Sequence, residues 1–234
     1  MTESNAPPVE KPVPIPEYLS HYYLWAYVSR RAIRFWDHGI LVQLILFGQY
    51  SRLKNRVRAL FSRQPGSVLQ IACVYGSLTS ELVADLHSSE TLTLVDVVPD
   101  QLARSLGKID DQRLKAVLAN SADLPCPSGQ FDKVLLFFLL HEQPLQVRIR
   151  TVQEALRVLG KNGLLVIVDY DRPCIGHPCY LILSLIFAWL EPFARDLWRQ
   201  DLSTWIRSFA PGTDIKRTSV FGGVYQILEI RNRS

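Results

Sequence analysis

Between Ser67 and Tyr170, short runs of aliphatic and β-branched residues alternate with longer amphipathic stretches: "SVLQIACV", "SLTSELVADLH", "TLTLVDV", "DQLARSLGKI", "RLKAVLA", "FDKVLLFFLL", "QVRIRTVQEALRVLG" and "GLLVIVDY". The apolar runs have the length of buried strands, and the stretches between them space their apolar residues as one helix face does. That alternation predicts a parallel sheet with helices on both faces. Upstream, Glu17 to Phe61 has no proline, carries aromatic and aliphatic residues at helical spacings and is interrupted at Asp37-His38-Gly39, which predicts two or three helices before the first strand. Downstream, Tyr180 to about Phe209 reads as one long aromatic-rich helical segment, and "DIKRTSVFGGVYQILEI" as a hairpin with a two-residue turn at Gly222-Gly223.

Residues 1–16 hold five of the fourteen prolines and read as an extended or disordered tail. The rest, 17–234, is expected to be a single domain: N-terminal helices (17–64), an α/β core (67–173), a hydrophobic helical segment (174–210) and a terminal hairpin (214–231). Hydrophobic residues make up 48% of the chain and charged ones 21%, which excludes a disordered polypeptide. The net charge of +4 is not gathered into a basic run, so nucleic acid is not an expected partner. "ILVQLILFG" and "YLILSLIFAWL" fall short of the roughly 20 residues a membrane-spanning helix needs. Four cysteines without a CxxC pair and no secretory leader lead us to expect reduced thiols and a cytoplasmic location.

Ligands of open parallel sheets bind beyond the carboxyl ends of the strands, which directs attention to the turn Cys73 to Thr79 after the first strand. The second strand ends at Asp96, twenty residues beyond Gly76, where a carboxylate accepts hydrogen bonds from ribose hydroxyls. With "ANSADLPCPSGQFDKVLLFFLLHE" and "ALRVLGKNGLLVIVDYDRP" following in order, Ser67 to Pro173 resembles the class I S-adenosylmethionine-dependent methyltransferases, nearest to the quinone C-methyltransferases. The resemblance implies a Rossmann-like, mostly parallel seven-stranded sheet with an antiparallel C-terminal hairpin. It implies donor contacts from Ala72, Cys73, Val74, Tyr75, Gly76, Asp96 and Val97, with Asn120 and Ser121 beside the adenine. The chain departs from that family by carrying Ala72 and Val74 for glycines, Gln70 for an acid and Tyr75 for a small residue. Glycine serves such loops by permitting positive φ and close ligand approach, so these side chains reshape the methionine end of the pocket.

"CVYGSLT", "YLWAYVSRRAIRFWD", "DYDRP" with the following "HP", and "LEPFARDLW" together resemble the rhodoquinone biosynthesis family RquA, over nearly the whole chain after Pro16. What this implies is transfer of the α-amino group of S-adenosylmethionine to ubiquinone, with loss of a ring methoxy group and a requirement for manganese. Tyr75, His141, Asp169 and Tyr170 are then the catalytic candidates. His141, Glu142, Asp169 and Asp171, at neighbouring strand ends, are the candidate Mn²⁺ ligands. The alternatives for the last group are local: Asp171 paired with Arg172, Glu142 capping a helix near Pro144, and His141 as a core histidine. His177, Trp25 and Tyr27 are candidate quinone contacts. All five tryptophans lie in Tyr18–Phe61 or Tyr180–Ile206, and Arg30, Arg31, Arg34, Arg52, Lys54, Arg56 and Arg58 flank the apolar runs. This pattern predicts either a peripheral contact with the inner membrane or a solvated cationic face. A quinone or lipid methyltransferase and a non-catalytic quinone-binding protein remain the competing functions. Oligomeric state is not readable from the sequence.

Overall fold

The computed structural model describes residues 13–22, 39–189, 191 and 193–232. The candidates Trp25 and Tyr27, the arginines at 30, 31 and 34, and most of the proline-rich tail lie outside these residues. Among the described residues, the helices α1 (Glu17–Tyr22), α2 (Gly39–Ile45) and α3 (Tyr50–Phe61) precede the sheet. The strands are β1 (Val68–Ile71), β2 (Leu92–Asp96), β3 (Leu114–Leu118), β4 (Phe131–Phe137), β5 (Leu159–Tyr170), β6 (Thr213–Val220) and β7 (Tyr225–Asn232). They form one sheet in the order β3-β2-β1-β4-β5-β7-β6, parallel from β1 to β5. β7 runs antiparallel between β5 and β6.

Successive residues of a strand point to opposite faces, and here both faces are dry. Leu135 and Phe137 of β4, with Leu164, Val166 and Val168 of β5, meet Leu53 and Val57 of α3, Leu82 of α4 (Leu78–Ala84), and Leu183 and Phe187 of α7 (Cys179–Trp189). On the other face, Val134, Leu136, Leu165 and Ile167 meet Val152, Ala155 and Val158 of α6 (Leu145–Val158), and Leu202 and Ile206 of α9 (Leu202–Phe209). Strands buried on both sides need the near-continuous apolar runs that the sequence displays.

Two expectations are corrected. The C-terminal helical segment is broken into α7, α8 (Ala194–Trp198) and α9, because the Asp201 side chain accepts the backbone N–H groups of Ser203 and Thr204 and caps a new helix start. The hairpin turn has four residues rather than two: Val220 pairs with Tyr225, and Phe221, Gly222 and Gly223 between them all take positive φ. Of the cations of α3, Arg52 is exposed and the others are paired within the domain. Lys54 pairs with Glu81 of α4, Arg58 with Glu81 and Asp85, and Arg56 with Glu229 of β7, which fastens the N-terminal helices to the domain. Among the described residues no helix is long and apolar enough to cross a membrane.

Candidate functional site

At the carboxyl ends of β1, β2, β4 and β5 lies a cavity of about 440 Å³. One wall is the turn Ala72–Tyr75 with Asp96, Val97, Asn120 and Ser121; the other holds Phe138, His141, Glu142, Gln143 and Tyr170. Tyr18 of α1, Leu44, Ile45 and Tyr50 from α2 and α3, and Ile182 and Ile186 of α7 close it over.

The turn after β1 keeps the shape of a glycine loop without most of its glycines. Ala72 has φ +74°, a left-handed conformation that costs a residue with a Cβ about 1–2 kcal/mol. Its N–H still donates to the Val95 carbonyl (2.8 Å), continuing the ladder from β1 to β2. Asp96 then anchors the turn: its carboxylate accepts from Cys73 N–H (2.7 Å) and Val98 N–H (2.8 Å). Burial raises the Asp96 carboxyl above its ordinary range, although these two N–H groups pull the other way. Each carboxylate oxygen has a second lone pair for a ligand hydroxyl. Tyr75 turns toward α5 (Pro99–Leu106), where its hydroxyl accepts from Gln101 Nε2 (3.0 Å) and its ring lies 4.8 Å from the Arg104 guanidinium.

On the opposite wall the short helical turn Leu140–Glu142 is folded around Asp169, a fully buried carboxylate. One oxygen accepts from the Leu140 (2.8 Å) and His141 (3.3 Å) amides, the other from the Tyr170 amide (2.7 Å) and His141 Nδ1 (2.9 Å). Burial disfavours charge on the His141 ring, yet Asp169 outweighs it and raises the imidazole from 6.5 to about 9. The Asp169 carboxylate beside Nδ1 thus favours the protonated ring. Phe138, Tyr170 and His141 pack edge to face, with ring centroids 4.8–6.0 Å apart. Burial pushes the Tyr170 phenol well above its usual range, so it stays neutral. Arg148, itself fully buried, donates to the carbonyls of Leu140, Gln143 and Phe193 and ties this turn to α8.

The four residues expected to hold manganese do not form a ligand set. Asp169 already accepts four N–H groups, and Asp171 turns away to a bidentate pair with Arg217 of β6 at 2.6 and 2.7 Å. The partner of Asp171 is thus Arg217 rather than Arg172, whose backbone N–H alone reaches it. His141 Nε2 and Glu142 Oε1 remain, 3.8 Å apart, and among the described residues no three His, Cys, Asp or Glu side chains converge as a metal site needs. Nor does Glu142 cap the helix beginning near Pro144; that helix start has no side-chain cap.

The fold of this sheet is matched by known proteins. Residues 68–163 match a family described as a methyltransferase domain. The N-methyltransferase NodS of Bradyrhizobium japonicum, solved with S-adenosylhomocysteine, superimposes with a TM-score of 0.65 over 94% of this chain and 100% of that one, at 13% identity.

The chain has the methyltransferase fold.

A second structure, the 1,6-didemethyltoxoflavin-N1-methyltransferase of Burkholderia thailandensis, shares the fold at a TM-score of 0.60 and 16% identity, covering 97% of this chain and 94% of that one. Among curated sequences, the ubiquinone/menaquinone biosynthesis C-methyltransferase UbiE of Citrifermentans bemidjiense is 25% identical over 47% of this chain and 48% of its own length. An uncharacterised methyltransferase of Synechocystis is 29% identical over 71% and 76%. This chain spans about half the length of the first of these curated relatives.

Within this methyltransferase fold, Ala72, Cys73, Val74, Tyr75, Asp96, Val97, Asn120, Ser121, His141, Glu142 and Tyr170 all reach the one cavity. Asp169 stands behind them as the group that holds His141. Gly76 is used differently from expectation: a Cβ there would meet the Tyr50 hydroxyl at 2.6 Å, so its glycine makes room for a protein side chain. His177 does not line the cavity; it packs on Phe221 (5.1 Å between centroids) against the hairpin turn, and its Nδ1 accepts from the Cys179 amide (3.2 Å). Sequence reading passed over Tyr18, Tyr50, Gln143 and Glu191, which also line the cavity. Gln143, directly after "HE", carries a local signal as a polar residue beyond a buried strand. The others come from distant segments and have none.

Proposed function

We propose that this protein is an S-adenosylmethionine-dependent transferase acting on a quinone, and that it replaces a ring methoxy group of ubiquinone with the donor's amino group. The observation that carries the reading is that one apolar cavity combines an anchored Asp96 turn on one wall with a buried His141–Asp169 pair on the other. Asp96 has lone pairs for the ribose hydroxyls, Val97, Asn120 and Ser121 border the base, and the turn Ala72–Tyr75 borders the methionine end. The donor supplies the transferred group. The amine adds to the ring carbon that bears the methoxy group, and His141, held by Asp169, gives a proton to the departing oxygen, which leaves as methanol. The donor's Cα–N bond then becomes an imine as the quinone ring is reduced to the quinol, and water hydrolyses that imine to release the donor as a 2-oxo acid and the aminated quinol, while Phe138 and Tyr170 shape a flat site for the ring. No step runs through manganese, since the residues expected to bind it do not converge as a ligand set.

The isoprenoid tail of such an acceptor needs an apolar exit. Leu44 and Ile182, exposed at 68% and 51%, stand at the cavity, with Leu181, Leu185 and Trp189 exposed further along α7. We place this rim against the cytoplasmic face of the inner membrane, where large amphipathic aromatics and aliphatics are stable.

Methyl transfer to a quinone is the second reading, favoured by the similarity to UbiE and to a methyltransferase domain. Mass spectrometry of purified protein with ¹⁵N-labelled or methyl-labelled S-adenosylmethionine and a short-tailed ubiquinone separates the two, run with and without manganese. A lighter product carrying the donor's nitrogen supports amino transfer. A product heavier by one methylene unit replaces that reading with methyl transfer, and binding of quinone with no turnover leaves a non-catalytic carrier.

A further inference from the structure

Among the described residues, several buried side-chain atoms lack a hydrogen-bond partner, and Gln143 Oε1 is the one whose residue lines the cavity. Gln143 is 1% exposed, and its amide is fixed from behind: Nε2 donates to Ser121 Oγ (3.0 Å), and Ser121 Oγ is in turn 3.0 Å from Thr151 Oγ1 of α6. The backbone is fixed as well, since the Gln143 carbonyl accepts from Arg148 Nη2 (3.0 Å). A buried acceptor left unpaired costs a fold stability, and its usual explanation is a missing partner.

The surroundings indicate what that partner carries. Glu142 and Glu191 line the same cavity, and the charges of both bear on His141 and Tyr170. A group beside Gln143 Oε1 must donate a hydrogen bond, as a nitrogen bearing hydrogens does.

We propose that the side-chain carbonyl of Gln143 is a recognition point for an amino group of the bound donor. This rests on the S-adenosylmethionine reading above. Two amino groups of that donor have this chemistry, the exocyclic amine of adenine and the α-ammonium of the methionine part. Ser121 is the positioning residue that keeps the amide oxygen directed at the ligand.

Calorimetric titration of the full chain with S-adenosylhomocysteine and with methylthioadenosine, which keeps the adenine amine and lacks the ammonium, tests the assignment. Gln143→Met removes the acceptor at similar volume and is expected to weaken S-adenosylhomocysteine about 10–100-fold, the cost of a lost bond to a buried or charged partner. Gln143→Glu keeps an acceptor and should retain affinity to within about threefold, which separates recognition from a packing defect. Equal weakening of both ligands by Gln143→Met assigns the bond to adenine; weakening of S-adenosylhomocysteine alone assigns it to the ammonium. Wild-type binding left unchanged in Gln143→Met overturns the proposal. Wild-type protein that binds neither ligand overturns the donor reading itself.

Discussion

The Tyr50 hydroxyl and Gly76 occupy adjoining space: a Cβ on residue 76 would lie 2.6 Å from Tyr50 Oη, and the glycine itself has φ +87°. The phenol accepts from the Ser77 and Leu78 amides (2.9 Å each) and donates to the Tyr75 carbonyl (3.3 Å). A side chain of an N-terminal helix thus satisfies the helix start after β1, where an open loop presents N–H groups to its ligand.

Gly76→Ala should therefore damage the chain in two ways, through left-handed backbone strain and through collision with Tyr50. Tyr50→Phe should cost about 1–3 kcal/mol by leaving two amides unpaired. Urea denaturation monitored by tryptophan fluorescence, with S-adenosylhomocysteine titrated into whatever remains folded, is the check. A fully stable Gly76→Ala protein would show that α3 is not seated on the turn.

Ala72→Gly should stabilise the protein, by up to about 1 kcal/mol, since the backbone there already sits in the region glycine prefers. The same variant examines whether the rebuilt loop selects the donor's pose. If the Cβ steers the amino group toward the quinone, the glycine variant should show less amino product and more methyl product in the labelled-donor assay; an unchanged ratio removes this residue from the account.

The His141–Asp169 pair makes stability depend on pH in a definite direction. The imidazole is raised from 6.5 to about 9 in the folded protein, so the native state holds the proton more tightly than the unfolded chain. The contribution, on the order of 3 kcal/mol, is complete below about pH 6.5 and is lost as pH rises through 9. Asp169→Asn should abolish that slope and cost about 3–5 kcal/mol, because it removes the buried partner of a buried cation. Melting curves from pH 6 to 10 and an NMR titration of the His141 ring read this directly; a wild-type ring titrating near 6.5 would refute it.

The apolar rim predicts separation of binding from folding. Leu181, Leu185 and Trp189 are 72%, 63% and 85% exposed, so serine at all three should move stability by no more than about 0.5 kcal/mol each. Flotation with phospholipid vesicles should fall severalfold, as should turnover of long-tailed quinone, while a short-tailed quinone is processed normally. Unchanged flotation would place the membrane contact elsewhere.

The sheet was legible because its strands are buried on both faces, and this leaves uninterrupted runs such as "KVLLFFLL" that few other structures accommodate. Asp96 was legible for a related reason: chain spacing fixes where a strand ends relative to the turn before it. The hairpin turn was misread since Gly222-Gly223 resembles a two-residue loop, while left-handed Phe221 joins the turn and lengthens it. The metal set was misread because proximity of strand ends does not say which way side chains turn, and Asp171 turned to Arg217, 46 residues away.

By itself the sequence determined the α/β alternation and the seats of Asp96 and of the "HE" strand end, which follow from local periodicity and spacing, while the resemblance to donor-binding transferases came from the motifs it carries in order. Only the tertiary structure decided that Gly76 yields space to Tyr50, that Asp169 is consumed in holding the His141 ring, and that Gln143, a cavity residue, keeps a buried oxygen without a hydrogen-bond partner. Those are contacts between segments remote along the chain, and the free energy of a buried polar group depends on which partners the fold brings to it.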